Sequence, residues 1–407
     1  MLYFRNVDVV KEYGVDESTV RYWINRVRKG KLDLVLHEQD GRYYIANTEK
    51  NKATIKGLVE AHKKFRNSKS VKVVTPSVEF YSLYNEVQIY DILTNLELHH
   101  EIPRQYNYFD GGSESWDSYA QRLASEETPN IINRTIRLLA ESESYLNSLL
   151  SDYKRVNIVD IGVGNALPVK AFLAYLLKRG GLGRYIAIDI SGEMLEIARR
   201  NIKEWFGDKV SFEGYEMDIS RDWFSNILAE EYIKKDAQDT VNLVLLLGGT
   251  SSNFRDPDDT FKAIRNNMGV NDFLIYTGKL DTDTTRRYFD FNINPGRPVL
   301  PPIHRLVIDL LNIDESMYDL ELGYDAELRQ RYERIRLKMG LTIKFEFEQG
   351  EREVNFNKGE TILVWRSWQQ TVTDVAQQFD RNGFYILHSS QTKDQEYIIT
   401  MSRVKAD

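Results

Sequence analysis

From Asn157 to Asp218 the chain reads NIVDIGVGNALPVK…YIAIDIS…YEMD, and no other stretch constrains the fold as tightly. The apolar run before Asp160 has the continuous hydrophobicity of a strand buried on both faces, a pattern of parallel sheets covered by helices. It ends in the turn Asp160-Ile161-Gly162-Val163-Gly164, and Leu167 to Lys178 follows as a good helix former. Two later strands end in acidic residues, Asp189 and Asp218, with Ile219 after the second. Strand and helix alternate, so the expected class is α/β. Glycine at the C-terminal end of a strand lets a ligand approach the backbone closely, and a carboxylate ending the next strand accepts from two ribose hydroxyls. Asp189 stands 25 residues after Gly164, a little beyond the dinucleotide-binding interval. The helix start also lacks the third glycine of that pattern.

At 407 residues the chain has room for two or three domains. No run approaches roughly eighteen consecutive apolar residues, and the start MLYFRNVDVVKEYG lacks a signal-peptide core. A cytoplasmic protein with no membrane partner is therefore expected. The absence of cysteine excludes disulfides, thiolate metal ligands and a cysteine nucleophile. The histidines are scattered, and the adjacent His99 and His100 diverge on any regular element, so no metal site is expected. Charge is uneven: residues 1–70 hold 15 Lys and Arg against 9 Asp and Glu, while the remainder carries −13. A basic front on an acidic body implies two jobs or two partners.

The front, residues 1–70, reads as a short helix from Asn6 to Tyr13 stopped at Gly14, then a helix capped by Asp16 or Ser18. That second helix places Val20, Trp23, Ile24 and Val27 at helical spacing and offers Arg21, Tyr22, Arg26 and Arg28 on the other face. Two β-rich runs flank Asp40-Gly41, a hairpin signal, and a third helix spans about Glu49 to Arg66. This order resembles the winged helix-turn-helix of MerR-type regulators and excisionases. The resemblance implies that Arg21, Tyr22, Arg26 and Arg28 face DNA, with protein docking or homo-oligomer formation as the other role for such a module.

Lys69 to Val74 reads as a linker, and residues 75–150 as a helical lid region. It contains the loop Pro103-Arg-Gln-Tyr106-Asn-Tyr108-Phe-Asp110-Gly-Gly-Ser113-Glu-Ser-Trp116-Asp117. Loops this rich in aromatics and Asp are more often binding lids than connectors. The core spans 151–280, its fourth strand VNLVLLL running into Gly248-Gly249-Thr250-Ser251-Ser252-Asn253-Phe254 and its fifth strand being DFLIYTGK. Ligands sit outside the carboxyl ends of such strands, so this polar tail should line the site. Residues 281–358 read as a polar, charged, helical insertion, and 359–407 as the terminal strands completing the core.

The DxGxG turn with later strand-end aspartates resembles the class I S-adenosylmethionine (SAM) methyltransferases, a Rossmann-like sheet here carrying a helical lid and insertion. Residues 75–407 are similar, more narrowly, to the histidine-specific SAM-dependent methyltransferases, the family known from ergothioneine biosynthesis. The similarity lies in Tyr108, Asp110, Ser113 and Trp116 of the aromatic loop, in Asp160, Gly162 and Gly164, in the Gly248–Phe254 signature, and in Lys279 followed nine residues on by Tyr288. It implies SAM as cofactor, held by Asp160, Gly162, Gly164, Asp189, Asp218, Ile219 and Gly248. A small amine or amino-acid-like substrate would meet Tyr108, Asn253, Tyr288, Trp365 and Ser367. No residue presents itself as an obligatory general base.

One departure bears on the substrate. Where the family has E-x-S after a G-E-x-I strand, this chain has Gly359-Glu-Thr-Ile362 and then Trp365-Arg366-Ser367. A carboxylate that grips an imidazole is replaced by an indole, which argues against histidine and fits an aromatic wall for a flat or cationic substrate. The competing reading is a DNA-binding regulator whose methyltransferase fold senses SAM. A nucleic-acid methyltransferase is disfavoured, because no D/N-P-P-Y/F tetrapeptide follows the fourth strand.

Overall fold

The computed structural model describes residues 3–15, 17–39, 41–68, 71–233, 239–283, 286 and 299–405. It divides into two compact units. One comprises Met1–Val73 with Leu337–Ile343 and Asn355–Glu360; the other comprises Val74–Arg336, Lys344–Val354 and Thr361–Asp407.

The larger unit is organised by a seven-stranded sheet whose order is Phe384–Gln391, Tyr397–Val404, Phe273–Lys279, Thr240–Leu246, Arg155–Ile161, Leu182–Asp189, Ser211–Glu216. The five strands from Ser211–Glu216 to Phe273–Lys279 are parallel, and the two C-terminal strands add as antiparallel neighbours. Alternation along each strand feeds two cores. Val156, Ile158, Tyr185, Ala187, Leu243 and Leu245 face one. Val159, Ile161, Ile186, Ile188, Val244 and Leu246 face the other. Lys170–Arg179 and Gly192–Phe206 cover the first face through Phe172, Leu173, Leu195 and Ala198. Pro257–Asn267 and Val372–Arg381 cover the second through Phe261, Ile264, Val375 and Phe379. This is the class I SAM-methyltransferase-like α/β fold.

The smaller unit opens with a two-residue strand, Tyr3–Phe4, and the helices Asn6–Tyr13 and Glu17–Arg28. The hairpin Leu36–Gln39 with Arg42–Ala46 and the helix Glu49–Ser68 follow. Gly14 ends the first helix in the left-handed conformation, φ 64°, which only glycine adopts without penalty. Val9, Val20, Trp23, Ile24, Ile45 and Ile55 form its core. Asn51, fully buried, fastens the hairpin: its Nδ2 donates to the carbonyls of Val35 (2.8 Å) and Ala46 (2.7 Å), and its Oδ1 accepts from the Val35 amide. Of the two N-cap residues expected for the second helix, Asp16 lies outside the described residues, and Ser18 is inside the helix. Asp40 also lies outside them.

Three expectations change. The segment read as a linker contains a strand, Val71–Val74. The described part of the insertion read as helical is largely β: after short helical turns come the strands Tyr318–Asp325, Gln330–Leu337, Gly340–Phe347 and Gly350–Phe356. Charges on both faces hide the two-residue period there. Arg334 and Arg336, two positions apart, both reach Glu321, which is strand rather than helix spacing. Of the terminal segment, Thr361–Trp368 joins a separate sheet beside Gln330–Leu337, and Val372–Arg381 is a helix; only the last hairpin completes the core sheet.

A buried polar ladder ties the central strands. Asn157 Nδ2 donates to Asn242 Oδ1 (3.0 Å), and Asn242 Nδ2 donates to Asp272 Oδ1 (3.0 Å). Asn242→Ala removes both links inside the sheet and should cost roughly 1–3 kcal/mol in chemical denaturation.

Candidate functional site

The site is built where the sheet reverses its winding. Strands added after Arg155–Ile161 run outward on one side, and the chain then returns to place Thr240–Leu246 on the other. The loops leaving these adjacent carboxyl ends diverge and leave a crevice. Gly162 (φ 65°), Gly164 (φ 55°) and Gly248 (φ 73°) turn the backbone there. A Cβ on Gly162 would lie 2.9 Å from the Thr250 methyl, so the two turns abut. The Gly248 amide donates to Thr277 Oγ1 (2.8 Å), itself 3.2 Å from Thr135 Oγ1, a support absent from the sequence motifs.

Asp189 ends its strand with a carboxylate that accepts from the amides of Gly164 (3.3 Å) and Ser191 (3.2 Å). Burial outweighs these bonds and pushes its pKa up to about 6. Asp160 is buried deeper, at 3% exposure; it accepts from Tyr185 Oη (2.7 Å), and burial raises it to about 7. Asp218 lies two residues beyond its strand, where Oδ1 accepts from Ser220 N (2.9 Å) and Oγ (2.6 Å). Ile219 beside it is buried.

The aromatic loop folds over this edge. Ser191 caps the helix Gly192–Phe206 by accepting from the Met194 amide, and its hydroxyl donates to the Tyr108 carbonyl (2.9 Å). Trp116 packs edge-on against Tyr108, centroids 5.9 Å apart, and a Cβ on Gly164 would come within 3.3 Å of its Nε1. Tyr108 Oη accepts from Arg104 Nε (2.8 Å).

Trp365 and Ser367, expected to meet the substrate, lie in a second sheet. In the antiparallel pair of Gln330–Leu337 and Thr361–Trp368, Trp365 stands opposite Glu333 and Ser367 opposite Arg331, so all four share one face. Ser367 Oγ donates to Ser252 Oγ (3.3 Å), in the turn that carries Asn253. Trp365 stacks on His304, centroids 5.5 Å apart and planes 16° from parallel. The cations over the indole are the protein's own, Arg331 at 5.2 Å and Arg104 at 6.0 Å. Lys279 ends the fifth strand; burial and then Arg331 lower its pKa to about 8. Tyr288 lies outside the described residues. Arg104, His304, Glu333 and Arg331 were not singled out in sequence, and only the strand register could have found Glu333.

In the smaller unit, Arg21 pairs with Glu17 (2.8 Å), Arg26 donates to the Lys31 carbonyl (3.3 Å), Arg28 lies over Tyr43, and Tyr22 is exposed. Among the described residues there is no metal-binding cluster and no helix long and apolar enough to cross a membrane.

The fold and crevice are those of a class I SAM-dependent methyltransferase. Residues 88–404 match the family described as histidine-specific, SAM-dependent methyltransferases, and the chain belongs to that family. Its cofactor is accordingly SAM. No curated protein matches the sequence significantly. Among solved structures, the chain is similar to a SAM-dependent methyltransferase from Clostridium acetobutylicum (12% identity, 72% of this chain and 99% of the other, TM-score 0.39). It is also similar to magnesium protoporphyrin IX methyltransferase from Synechocystis (13%, 74% and 97%, 0.38). A third is the 1,6-didemethyltoxoflavin-N1-methyltransferase of Burkholderia thailandensis (12%, 72% and 85%, 0.36).

The raised pKa of Asp160 has a testable sign. The folded state binds this proton more tightly than the unfolded chain, so the carboxyl favours folding most at low pH and loses that contribution as pH rises to about 7. Asp160→Asn should therefore gain on the wild type between about pH 4 and 7, by up to ~1.4 kcal/mol per unit, in denaturation at stepped pH.

Proposed function

We propose that the protein transfers a methyl group from SAM to the nitrogen of a small amine or amino-acid-like substrate other than histidine. The observation that carries the second half is the Trp365 face: an indole stands at the E-x-S position, and the carboxylate opposite it across the strand pair, Glu333, is engaged by His304 Nδ1 at 2.6 Å. A site that has committed its carboxylate internally cannot offer it to a substrate imidazole, and such exchanges shift specificity steeply.

The residues fit the cofactor by the chemistry of Asp189. A carboxylate whose burial already raises its pKa gains from further donors, and two ribose hydroxyls would supply them. Asp218 Oδ2 and the Ile219 backbone would receive the adenine, and Asp160, Gly162, Gly164 and Gly248 would shape the turn around the methionine part. Bound SAM supplies the electrophilic methyl. The chain's task is to hold a lone pair in line with it, a positioning effect worth up to ~7–11 kcal/mol. The Asn253 side-chain amide makes no hydrogen bond with described residues and would take the amine end, with Tyr108, Ser367 and, from the segment not described, Tyr288. Desolvation in the closed crevice would deliver the amine neutral.

We read the smaller unit as a winged helix-turn-helix on its order of helix, helix, hairpin and helix. Its arginines are partly spent inside the unit, so the SAM-sensing DNA regulator is not adopted.

Calorimetric titration of SAM and S-adenosylhomocysteine, followed by methyl transfer to a panel of amines, tests the proposal; a protein that binds neither ligand would sink it. Asp189→Ala should abolish binding. In the wild type, affinity should fall by up to about tenfold per pH unit below about 6, as Asp189 takes up its proton, and Asp189→Asn should flatten that dependence.

A further inference from the structure

Arg104 is buried, 9% exposed, in the short helical turn Arg104–Tyr108. Its Nε donates to Tyr108 Oη, and its Nη1 donates to His304 Nε2. A guanidinium can only donate, so His304 Nε2 is an acceptor and the ring proton sits on Nδ1, donated to Glu333 Oε2. The imidazole is therefore neutral, in keeping with a pKa lowered to about 4 by burial and then by Arg104. Both acceptors that reach Arg104 among the described residues are uncharged. The charge of Glu333 is one imidazole away and is spent holding the ring.

Arg366 shows how this chain otherwise treats a deep guanidinium. It is buried to a similar degree, and Glu101 accepts from both its Nε (3.2 Å) and its Nη2, the carboxylate side chain being only 10% exposed. Burial of a charge is costly unless an opposite charge accompanies it. Arg104 has no carboxylate within ion-pairing distance among the described residues, yet a three-member relay from Glu333 through His304 and the Tyr108 hydroxyl hold it in one orientation. Such positioning is what a ligand-binding guanidinium requires.

The surroundings point to the ligand's charge. Arg104 and Arg331 lie over the ring of Trp365, and Lys279 is close enough to Arg331 to be repelled by it. Opposite them, Glu333 is held by His304, and Glu396 and Asp394 act on Lys279, so among the described residues Arg104 is the cation here with no carboxylate of its own. Tyr108 links the cluster to the cofactor side, because its carbonyl is held by Ser191 at the end of the Asp189 strand and its ring by Trp116 next to Gly164. Ser367, on the same strand face, touches the turn of Asn253. The cationic cluster therefore stands beside the place proposed for the acceptor amine.

We propose that the methyl acceptor carries, beyond its amine end, a further anionic group, a carboxylate or phosphate ester, which seats on Arg104 and Arg331 against the Trp365 indole. This rests on the methyl-transfer reading above. It makes Arg104 a specificity residue and His304 and Glu333 positioning residues that act through it.

The test titrates protein saturated with S-adenosylhomocysteine with L-glutamate and O-phospho-L-serine, and with their uncharged counterparts L-glutamine and L-serine. At least one acid should bind about tenfold or more tighter than its counterpart, and which acid does so separates a carboxylate from a phosphate ligand. Arg104→Gln should remove the preference while S-adenosylhomocysteine affinity is retained. Should that variant fail to bind S-adenosylhomocysteine, Arg331→Gln, at a half-buried position, should weaken the same preference. Equal binding of acid and counterpart, a preference that survives both substitutions, or no binding of any probe overturns the inference. Transfer of labelled methyl separates the two claims. An acid bound through Arg104 but never methylated upholds this subsite and sinks N-methyl transfer. A neutral amino acid methylated equally by wild type and Arg104→Gln does the reverse.

Discussion

The reversal of winding between Arg155–Ile161 and Thr240–Leu246 is the constraint on which the rest depends. Two parallel strands side by side, with crossovers leaving in opposite directions, cannot have their carboxyl-end loops covered by the same helix. Gly162 and Gly248 stand at that opening, and Asp189 lies one strand away. The aromatic loop is then attached at this edge rather than elsewhere, because Ser191 uses one hydroxyl both to cap the helix after the Asp189 strand and to hold the Tyr108 carbonyl. A single topological fact thus gathers residues as far apart in the chain as Tyr108 and Gly248.

Much of this was legible in the chain. Continuous apolar strands, the glycine turn and strand-end aspartates announce themselves because a parallel sheet needs burial on both faces and a ligand needs backbone access. The aromatic loop was legible for the opposite reason: its aromatics flank Gly111-Gly112 at a spacing that suits no helix core. The second sheet was not legible. Arg331, Glu333, Arg334 and Arg336 place charge on both faces of one strand, and Glu321 satisfies two of them only through a pairing partner. Without the register, Glu333 and Trp365 are 32 positions apart with nothing to join them. The relay from Glu333 to Tyr108 was hidden for the same reason, since it crosses three separate segments.

Buried charge is handled in three ways. Arg366 and Glu101 neutralise each other. Asp160 and Asp189 receive only neutral donors, and burial outweighs these and makes the carboxyls hold their protons more tightly. Arg104 cannot respond so, because a guanidinium does not lose its proton in the working range. A carboxylate can tune its charge to its surroundings; an arginine has to be met.

The turn at Gly162 is bound twice over. Its φ of 65° disfavours any side chain, and the Thr250 methyl occupies the place a Cβ would take. These restraints are independent: shrinking residue 250 clears the space and leaves the dihedral strain, while relaxing the backbone leaves the collision. No single neighbouring change makes another residue acceptable at 162. For a lineage exploring sequence space one step at a time, this position is a wall rather than a slope, and variation in this enzyme must pass around it.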